Sequence, residues 1–337
     1  MGVLTRCVLA FAAGVACVAP AAQASPIPDS ARLISAQPGP GRVVELTVYS
    51  AAMGKSVTVA VLPAADRAVA APVLYLLNGV DGGAGPSAGW RDGGNWLTRT
   101  DAEEFFADKQ VTVVMPIGGA GSYYADWQAD DPVLGRQRWT TFLTRELPGV
   151  VDTEFRGTGV NAVAGVSMAG TAAFQLALAA PKLYRAAGSY SGCVSTSGPQ
   201  GHMMVNTVVA GQKGDPVNLW GRPGDPRWAA HDPFVHADRL RGLALYVSSG
   251  NGMAGGLDTV DGPGVDGDSM KLVDQLVIGG ILDAVTAMCT QQLAGRLREL
   301  DIPVTVDLRP NGTHSWGYWR NDLRRSWPLF ATALRVR

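Results

Sequence analysis

One serine constrains this chain more than any other residue. Ser167 lies in Asn161-Ala162-Val163-Ala164-Gly165-Val166-Ser167-Met168-Ala169-Gly170, an apolar strand-like stretch broken by Gly-x-Ser-x-x-Gly. The run Thr171-Ala172-Ala173-Phe174-Gln175-Leu176-Ala177-Leu178, with helical character, follows at once. Strand, serine among small residues, then helix is the order of a nucleophile elbow. Its sharp turn strains the serine backbone, and only small neighbours leave room for it. The hydroxyl then projects from the sheet, and the amide of Met168 points at the same spot from a helix N-terminus. The usual second glycine of such a turn is Ala169 here, still small enough for the turn to form. The competing reading is a chance Gly-Val-Ser in a loop of small residues.

The chain opens with Met-Gly-Val-Leu-Thr-Arg, an apolar and small stretch from Cys7 to Ala22, and Ala22-Gln23-Ala24 before Ser25. One positive charge, a short apolar core and an Ala-x-Ala site predict a secretory signal peptide over residues 1–24, cleaved near Ala24. A membrane anchor is disfavoured by the short core, and Gly14-Val15-Ala16 is a poor lipidation box for Cys17. No other stretch reads as a bilayer span, so the mature product is expected outside the cytoplasmic membrane. Cleavage removes Arg6 and no acidic residue, moving the formal charge from -1 to -2. That near-neutral balance argues against a nucleic-acid partner, which needs a basic face.

The remaining organisation reads as a Pro-rich leader over 25–42 and one catalytic domain over 43–337. Val43–Tyr49 and Val57–Leu62 are predicted strands in antiparallel register. Pro72–Leu77 and Val111–Pro116 are continuous apolar runs of the kind found in buried parallel strands. Asn95–Asp108, Trp139–Val151 and Gly280–Leu300 read as helices. Val160–Ala164, Ala186–Ser191, Leu243–Ser248 and Val304–Leu308 read as further strands. Strands alternating with helices predict an α/β fold, a mostly parallel sheet covered on both faces. The aspartates of Gly250–Asp268 lack calcium-loop spacing, and His202, His231 and His236 show no zinc pattern. They read as surface or capping residues, and neither a metal nor a cofactor is expected.

A serine hydroxyl needs a histidine to take its proton, and the histidine needs a carboxylate to fix its tautomer. In an elbow fold these follow the serine as acid, then histidine. His314, in Pro310-Asn311-Gly312-Thr313-His314-Ser315-Trp316 after the last predicted strand, is the histidine in a credible place. For the acid, spacing leaves Asp258 and Asp283 equal. A second oxyanion donor beside Met168 is expected from Val80, where Leu76-Leu77-Asn78-Gly79-Val80-Asp81 turns after an early strand. After signal cleavage two cysteines remain, Cys193 and Cys289, more often a disulfide than two thiols in an oxidising compartment.

These residues carry a resemblance. The chain resembles the secreted mycolyltransferases of mycolate-making actinobacteria, which include the antigen 85 proteins and their corynebacterial relatives. The likeness runs over most of the mature chain. Its specific pieces are Tyr75-Leu76-Leu77-Asn78-Gly79, Val114-Met115-Pro116-Ile117-Gly118-Gly119 with Ser122-Tyr123-Tyr124-Ala125-Asp126-Trp127, Gly165-Val166-Ser167-Met168-Ala169, Tyr246-Val247-Ser248-Ser249-Gly250-Asn251-Gly252, and Asn311-Gly312-Thr313-His314-Ser315-Trp316 with Tyr318-Trp319.

The resemblance implies an α/β-hydrolase fold, a triad of Ser167, Asp283 and His314, and oxyanion amides at Val80 and Met168. It decides for Asp283 over Asp258. The family has glutamate at that position, one methylene longer, so here the helix must sit closer to His314 or the contact weakens. The resemblance also supports pairing of Cys193 with Cys289, tethering the acid-bearing helix near the elbow. Asn78 and Asp81 stand where antigen 85 members carry Asp and Arg at the sugar mouth, which puts the acceptor in doubt. Trp127 and Trp316 match positions near the active site. The implied activity is acyl transfer between trehalose mycolates or related glycolipids and cell-wall sugar acceptors. A carboxylesterase with the same triad and a non-catalytic cell-wall binding protein are the alternatives.

Overall fold

The computed structural model describes residues 31–336. The expected signal peptide and its cleavage site, with Cys7 and Cys17, lie outside the described residues.

Nine strands form one sheet in the order β1-β2-β3-β5-β4-β6-β7-β8-β9. They are β1 Arg32–Pro38, β2 Val44–Ser50, β3 Lys55–Leu62, β4 Ala71–Leu77, β5 Thr112–Ile117, β6 Gly157–Val166, β7 Tyr184–Tyr190, β8 Ala244–Ser249 and β9 Thr305–Leu308. The first three strands and β5 pair antiparallel. From β5 through β4 and β6 to β9 every pairing is parallel. β1 comes from the stretch read as a Pro-rich leader, so the sheet begins before residue 43.

β4 and β5 are continuous apolar runs because both of their faces are covered. Side chains alternate across the pleat. Val73, Tyr75 and Val163 meet Ala172, Ala173 and Phe174 of the helix Met168–Ala179 on one face. Leu74, Leu76, Ala164 and Val166 meet Trp319, Leu323 and Phe330 of the helix Trp316–Leu334 on the other. Sequence patterning did not predict this C-terminal helix, which carries Pro328 in its interior.

Two helical expectations need correction. Residues 95–108 form two short helices, Trp96–Arg99 and Ala102–Phe105. Thr100 separates them: its backbone is extended, and its hydroxyl donates to the Trp96 carbonyl while accepting from Ala102 N–H. Such local bonding competes with helix continuation. The helix expected to start at Gly280 begins at Ser269 and passes through a π turn, Gln275–Gly279, into Gly280–Glu299. By length and composition the run Ser269–Glu299 is apolar enough to cross a membrane, contrary to the expectation that no further stretch is. Its Asp283, Thr286, Cys289, Leu293 and Leu297 are buried in the fold, whereas Met270, Val273, Val277 and Ile281 lie exposed along the run. The segment is therefore apolar on two sides, one of which serves the core.

Candidate active site

Ser167 sits at the turn between β6 and the helix Met168–Ala179 with φ 56° and ψ -126°. A non-glycine residue holds this conformation only when its surroundings over-determine it. Here the Ser167 amide donates to the Tyr190 carbonyl at 2.8 Å, and the Ser167 carbonyl accepts from Gly170 N–H at 2.9 Å. Gly165 makes the turn possible. A Cβ there would lie 2.5 Å from the Ala169 carbonyl oxygen and 2.7 Å from the Ala169 Cβ. The alanine that replaces the second glycine of the motif is thus accommodated by the first.

His314 lies in the loop between β9 and the C-terminal helix. Its Nε2 is 2.8 Å from Ser167 Oγ, and its Nδ1 is 2.8 Å from Asp283 Oδ1. Trp319 packs edge-on against the imidazole at 4.9 Å. The Gly279 carbonyl, at the end of the π turn, accepts the His314 N–H at 3.1 Å. The irregular turn thereby ties the histidine loop to the helix that carries the acid.

Aspartate reaches the imidazole because the helix is close. The outer oxygen of Asp283 accepts the Gly250 amide at 2.8 Å. A Cβ on Gly250 would lie 2.7 Å from that oxygen, and one on Gly252 would lie 2.1 Å from the Gly280 carbonyl oxygen. These two glycines after β8 allow the close approach of the acid-bearing helix. Asp283 is fully buried.

Asp258 has other partners. It accepts from Thr313 Oγ1, Gln275 Nε2 at 2.6 Å, Tyr318 OH at 2.8 Å and the Gly255 amide at 2.7 Å. It braces the residue before His314 and does not contact the imidazole hydrogen-bonding chain.

Val80 and Met168 line the pocket that contains Ser167 and His314. Met168 opens its helix, where the first amides have no intrahelical acceptor. Among the described residues the Val80 amide has no hydrogen-bond acceptor. The loop reaches close to the serine, since a Cβ on Gly79 would stand 3.8 Å from Ser167 Cβ.

The four residues expected at the sugar mouth divide. Asn78 is fully buried, donating to the Pro116 carbonyl at 3.1 Å and accepting from Trp96 N–H at 3.4 Å. Trp127 is fully buried and donates to the Ser122 carbonyl at 3.0 Å. Both hold loops and offer no polar atom to a ligand, a correction to their expected contact with substrate. Trp316 lines an open groove beside His314. Asp81 is near it: a Cβ on Gly94 would lie 3.3 Å from Asp81 Oδ2 and 3.7 Å from Trp316 Nε1. Burial pushes the Asp81 carboxyl up, opposed by its bond from Gly83 N–H and by Arg99.

Two cavities meet at the histidine. One, of about 260 Å³, runs from Ser167 past Val80, Met204, Val208, Ile278 and Leu282 and is mostly apolar. The other, of about 550 Å³, is more open and carries Arg99, Lys271, Asp274, Gln275 and Trp316. The charged groups of this groove had no signal in the sequence, because they come from separate segments. The disulfide Cys193–Cys289 is formed and joins the loop after β7 to the acid-bearing helix. Thr171 Oγ1 donates to the Cys193 carbonyl at 2.8 Å, so the elbow helix holds the same loop.

This site has relatives. The profile of the putative esterase family matches residues 50–330. The diacylglycerol acyltransferase/mycolyltransferase Ag85B of Mycobacterium leprae is 31% identical over 306 residues, 86% of this chain and 84% of that protein. The chain belongs to the esterase family of the antigen 85 mycolyltransferases. Ag85A of Mycobacterium tuberculosis is 30% identical over 312 residues, covering 88% of this chain and 82% of that protein. Among solved structures, MPT51 of Mycobacterium tuberculosis superposes with a TM-score of 0.70 at 26% identity, covering 87% of this chain and 99% of that one. An S-formylglutathione hydrolase from Agrobacterium tumefaciens shares the fold, with a TM-score of 0.61 at 16% identity over 90% of this chain and 99% of its own. The fold is that of the α/β-hydrolases, and the family is one of acyltransferases and esterases.

Proposed function

We propose that the protein is a secreted serine acyltransferase that moves a mycolyl or other long-chain acyl group between trehalose esters or onto cell-wall sugar acceptors. The observation that supports this reading is the hydrogen-bonded series Asp283–His314–Ser167, opening between an apolar cavity and a polar groove walled by Trp316. The Ser167 oxygen attacks the ester carbonyl as His314 Nε2 takes its proton, and the Val80 and Met168 amides receive the oxyanion. Collapse expels the first sugar, which takes the proton from His314, and leaves an acyl-serine. A second sugar hydroxyl then attacks the acyl carbonyl and gives its proton to His314, which passes it to Ser167 Oγ as the acyl–serine bond breaks. Asp283 keeps the imidazole in the required tautomer through both halves.

The cavity at Ser167 is small beside typical ligand pockets of roughly 300–1,000 Å³. It takes the ester end of the acyl chain, and the remainder runs out over the apolar face of the helical run at Val277 and Ile281. The open groove, with Arg99, Asp274 and Gln275, offers hydrogen bonds to a sugar that must outcompete water for the acyl-enzyme.

Incubation with a trehalose monoester, following diester and free acid together, tests the reading. Diester from the wild type and none from Ser167→Ala supports it. Free acid alone makes the protein a carboxylesterase. Folded protein that makes neither product and resists a fluorophosphonate is a non-catalytic homologue.

A further inference from the structure

Arg309 follows β9 and turns inward, with its side chain only 7% exposed. Its Nη1 donates to both oxygens of Asp322 on the C-terminal helix, at 2.6 Å to Oδ2. Its Nη2 lies 3.6 Å from Oδ2 of Asp283, the oxygen turned away from His314. The guanidinium also lies over the Tyr318 ring at 5.2 Å, and the Arg309 amide is pinned to the Ser249 carbonyl at 2.9 Å. Asp322 is fully buried and accepts from Ser248 Oγ at 2.9 Å. Neither Arg309 nor Asp322 takes part in the proton transfers above.

With both carboxylates ionised, this buried set of two aspartates and one arginine carries one net negative charge. When His314 accepts the serine proton, the imidazolium brings the four groups to neutrality. Arg309 alone beside Asp283 would cancel the charge that stabilises the imidazolium, and Asp322 offsets that loss. Asp322 also holds the guanidinium in place, because both of its oxygens accept from Nη1. Asp322 therefore serves geometry and charge together.

We propose that Arg309 and Asp322 are a positioning pair for Asp283. Arg309 holds its charge 3.6 Å from the outer carboxylate oxygen, beside the Gly250 amide that bonds it, so that the inner oxygen stays on Nδ1 of His314. Asp322 neutralises Arg309 so that Asp283 keeps its full charge toward the imidazolium. The inference rests on the Ser167–His314–Asp283 reading above.

The surroundings of Asp322 leave that charge to the pair. Burial pushes its carboxyl up to about 6, against the pull of Arg309 and Ser248, so it is ionised at neutral pH. Asp307 and Arg325 are the next charges, and they pair with each other at 3.0 Å. Tyr190 and Tyr246 face the same region, and burial pushes both well above the ordinary tyrosine range, which keeps them neutral.

The experiment measures hydrolysis of p-nitrophenyl butyrate from pH 5 to 9 by purified full-length protein, with near-UV circular dichroism to certify folding. Turnover by the wild type and none by Ser167→Ala is the entry condition, and its failure sinks the triad reading itself. Asp322→Asn is expected to lower kcat about 10- to 100-fold with KM changed less than threefold. It also moves the acidic limb of the kcat/KM profile to lower pH, because the imidazolium faces less negative charge. Arg309→Lys keeps the cation and loses the second nitrogen that faces Asp283, so kcat falls about 5- to 20-fold while the acidic limb stays in place. It also keeps the test open should Asp322→Asn not fold. A folded variant of either kind whose kcat and acidic limb superimpose on the wild type, or whose loss lies in KM alone, overturns the proposal.

Discussion

At the scale of single residues, two aspartates that spacing could not separate have different work. Asp283 touches the imidazole, and Asp258 gathers Thr313, Gln275, Tyr318 and the Gly255 amide around the histidine loop. Asp283→Asn is expected to lower kcat by about 10⁴-fold with the fold intact, since the amide favours the wrong histidine tautomer. Asp258→Asn is expected to cost about 2–3 kcal/mol of stability in urea unfolding through its lost charge-assisted bonds, with a much smaller loss of kcat. Equal kinetic losses in both would contradict this division. Asp322 gives a pH signature. Its folded carboxyl is raised from 3.8 to about 6, chiefly by burial, so the native state holds the proton more firmly than the unfolded chain. The stability this contributes is present below pH 3.8 and is lost as pH rises through about 6. Unfolding free energies of the wild type minus those of Asp322→Asn should fall by roughly 2–3 kcal/mol between pH 4 and pH 7, and a flat difference would refute the assignment.

At the scale of elements, the strained turn at Ser167 depends on how closely its helix lies on its strand. Gly165→Ala places a methyl 2.5 Å from a backbone oxygen that cannot move without unwinding the helix start. About 3 kcal/mol of destabilisation and loss of fluorophosphonate labelling at Ser167 are expected. Ala169→Gly relieves contact at the same place, and labelling should persist at close to the wild-type rate, with a helix cost of at most about 1 kcal/mol. The same logic explains the acid. Gly250 and Gly252 let the helix lie near enough for a short carboxylate to reach His314, a relation among separate segments that no local pattern reports.

At the scale of the whole molecule, the parallel half of the sheet brings its strand ends together, and the site forms from loops at those ends. The disulfide closes this arrangement between positions 96 residues apart. Cross-linking a loop of that length should stabilise the fold by about 5 kcal/mol on the chain-entropy account. Cys193→Ser with Cys289→Ser should therefore melt roughly 10 °C lower, at about 2 °C per kcal/mol in a domain of this size. The melt of the oxidised wild type should fall to meet the double variant when reductant is added. Coincident melts without reductant would show that the bridge carries no stability.

Much of this protein is legible in its amino-acid order, because the signals are local. Continuous apolar runs mark strands buried on both faces, and a serine among small residues between strand and helix marks a strained turn. His314 is visible from its place after the last strand. Distance across the chain is not legible: spacing leaves Asp258 and Asp283 level, and Asn78 and Trp127 look available although both are packed away. Arg309 and Asp322, one at a strand end and one within a helix, become partners because the C-terminal helix lies against β8. Local patterning determined the sheet, the elbow and the order of its chemistry. Which carboxylate meets the imidazole was decided by tertiary packing, because a hydrogen bond depends on ångströms between segments far apart in sequence.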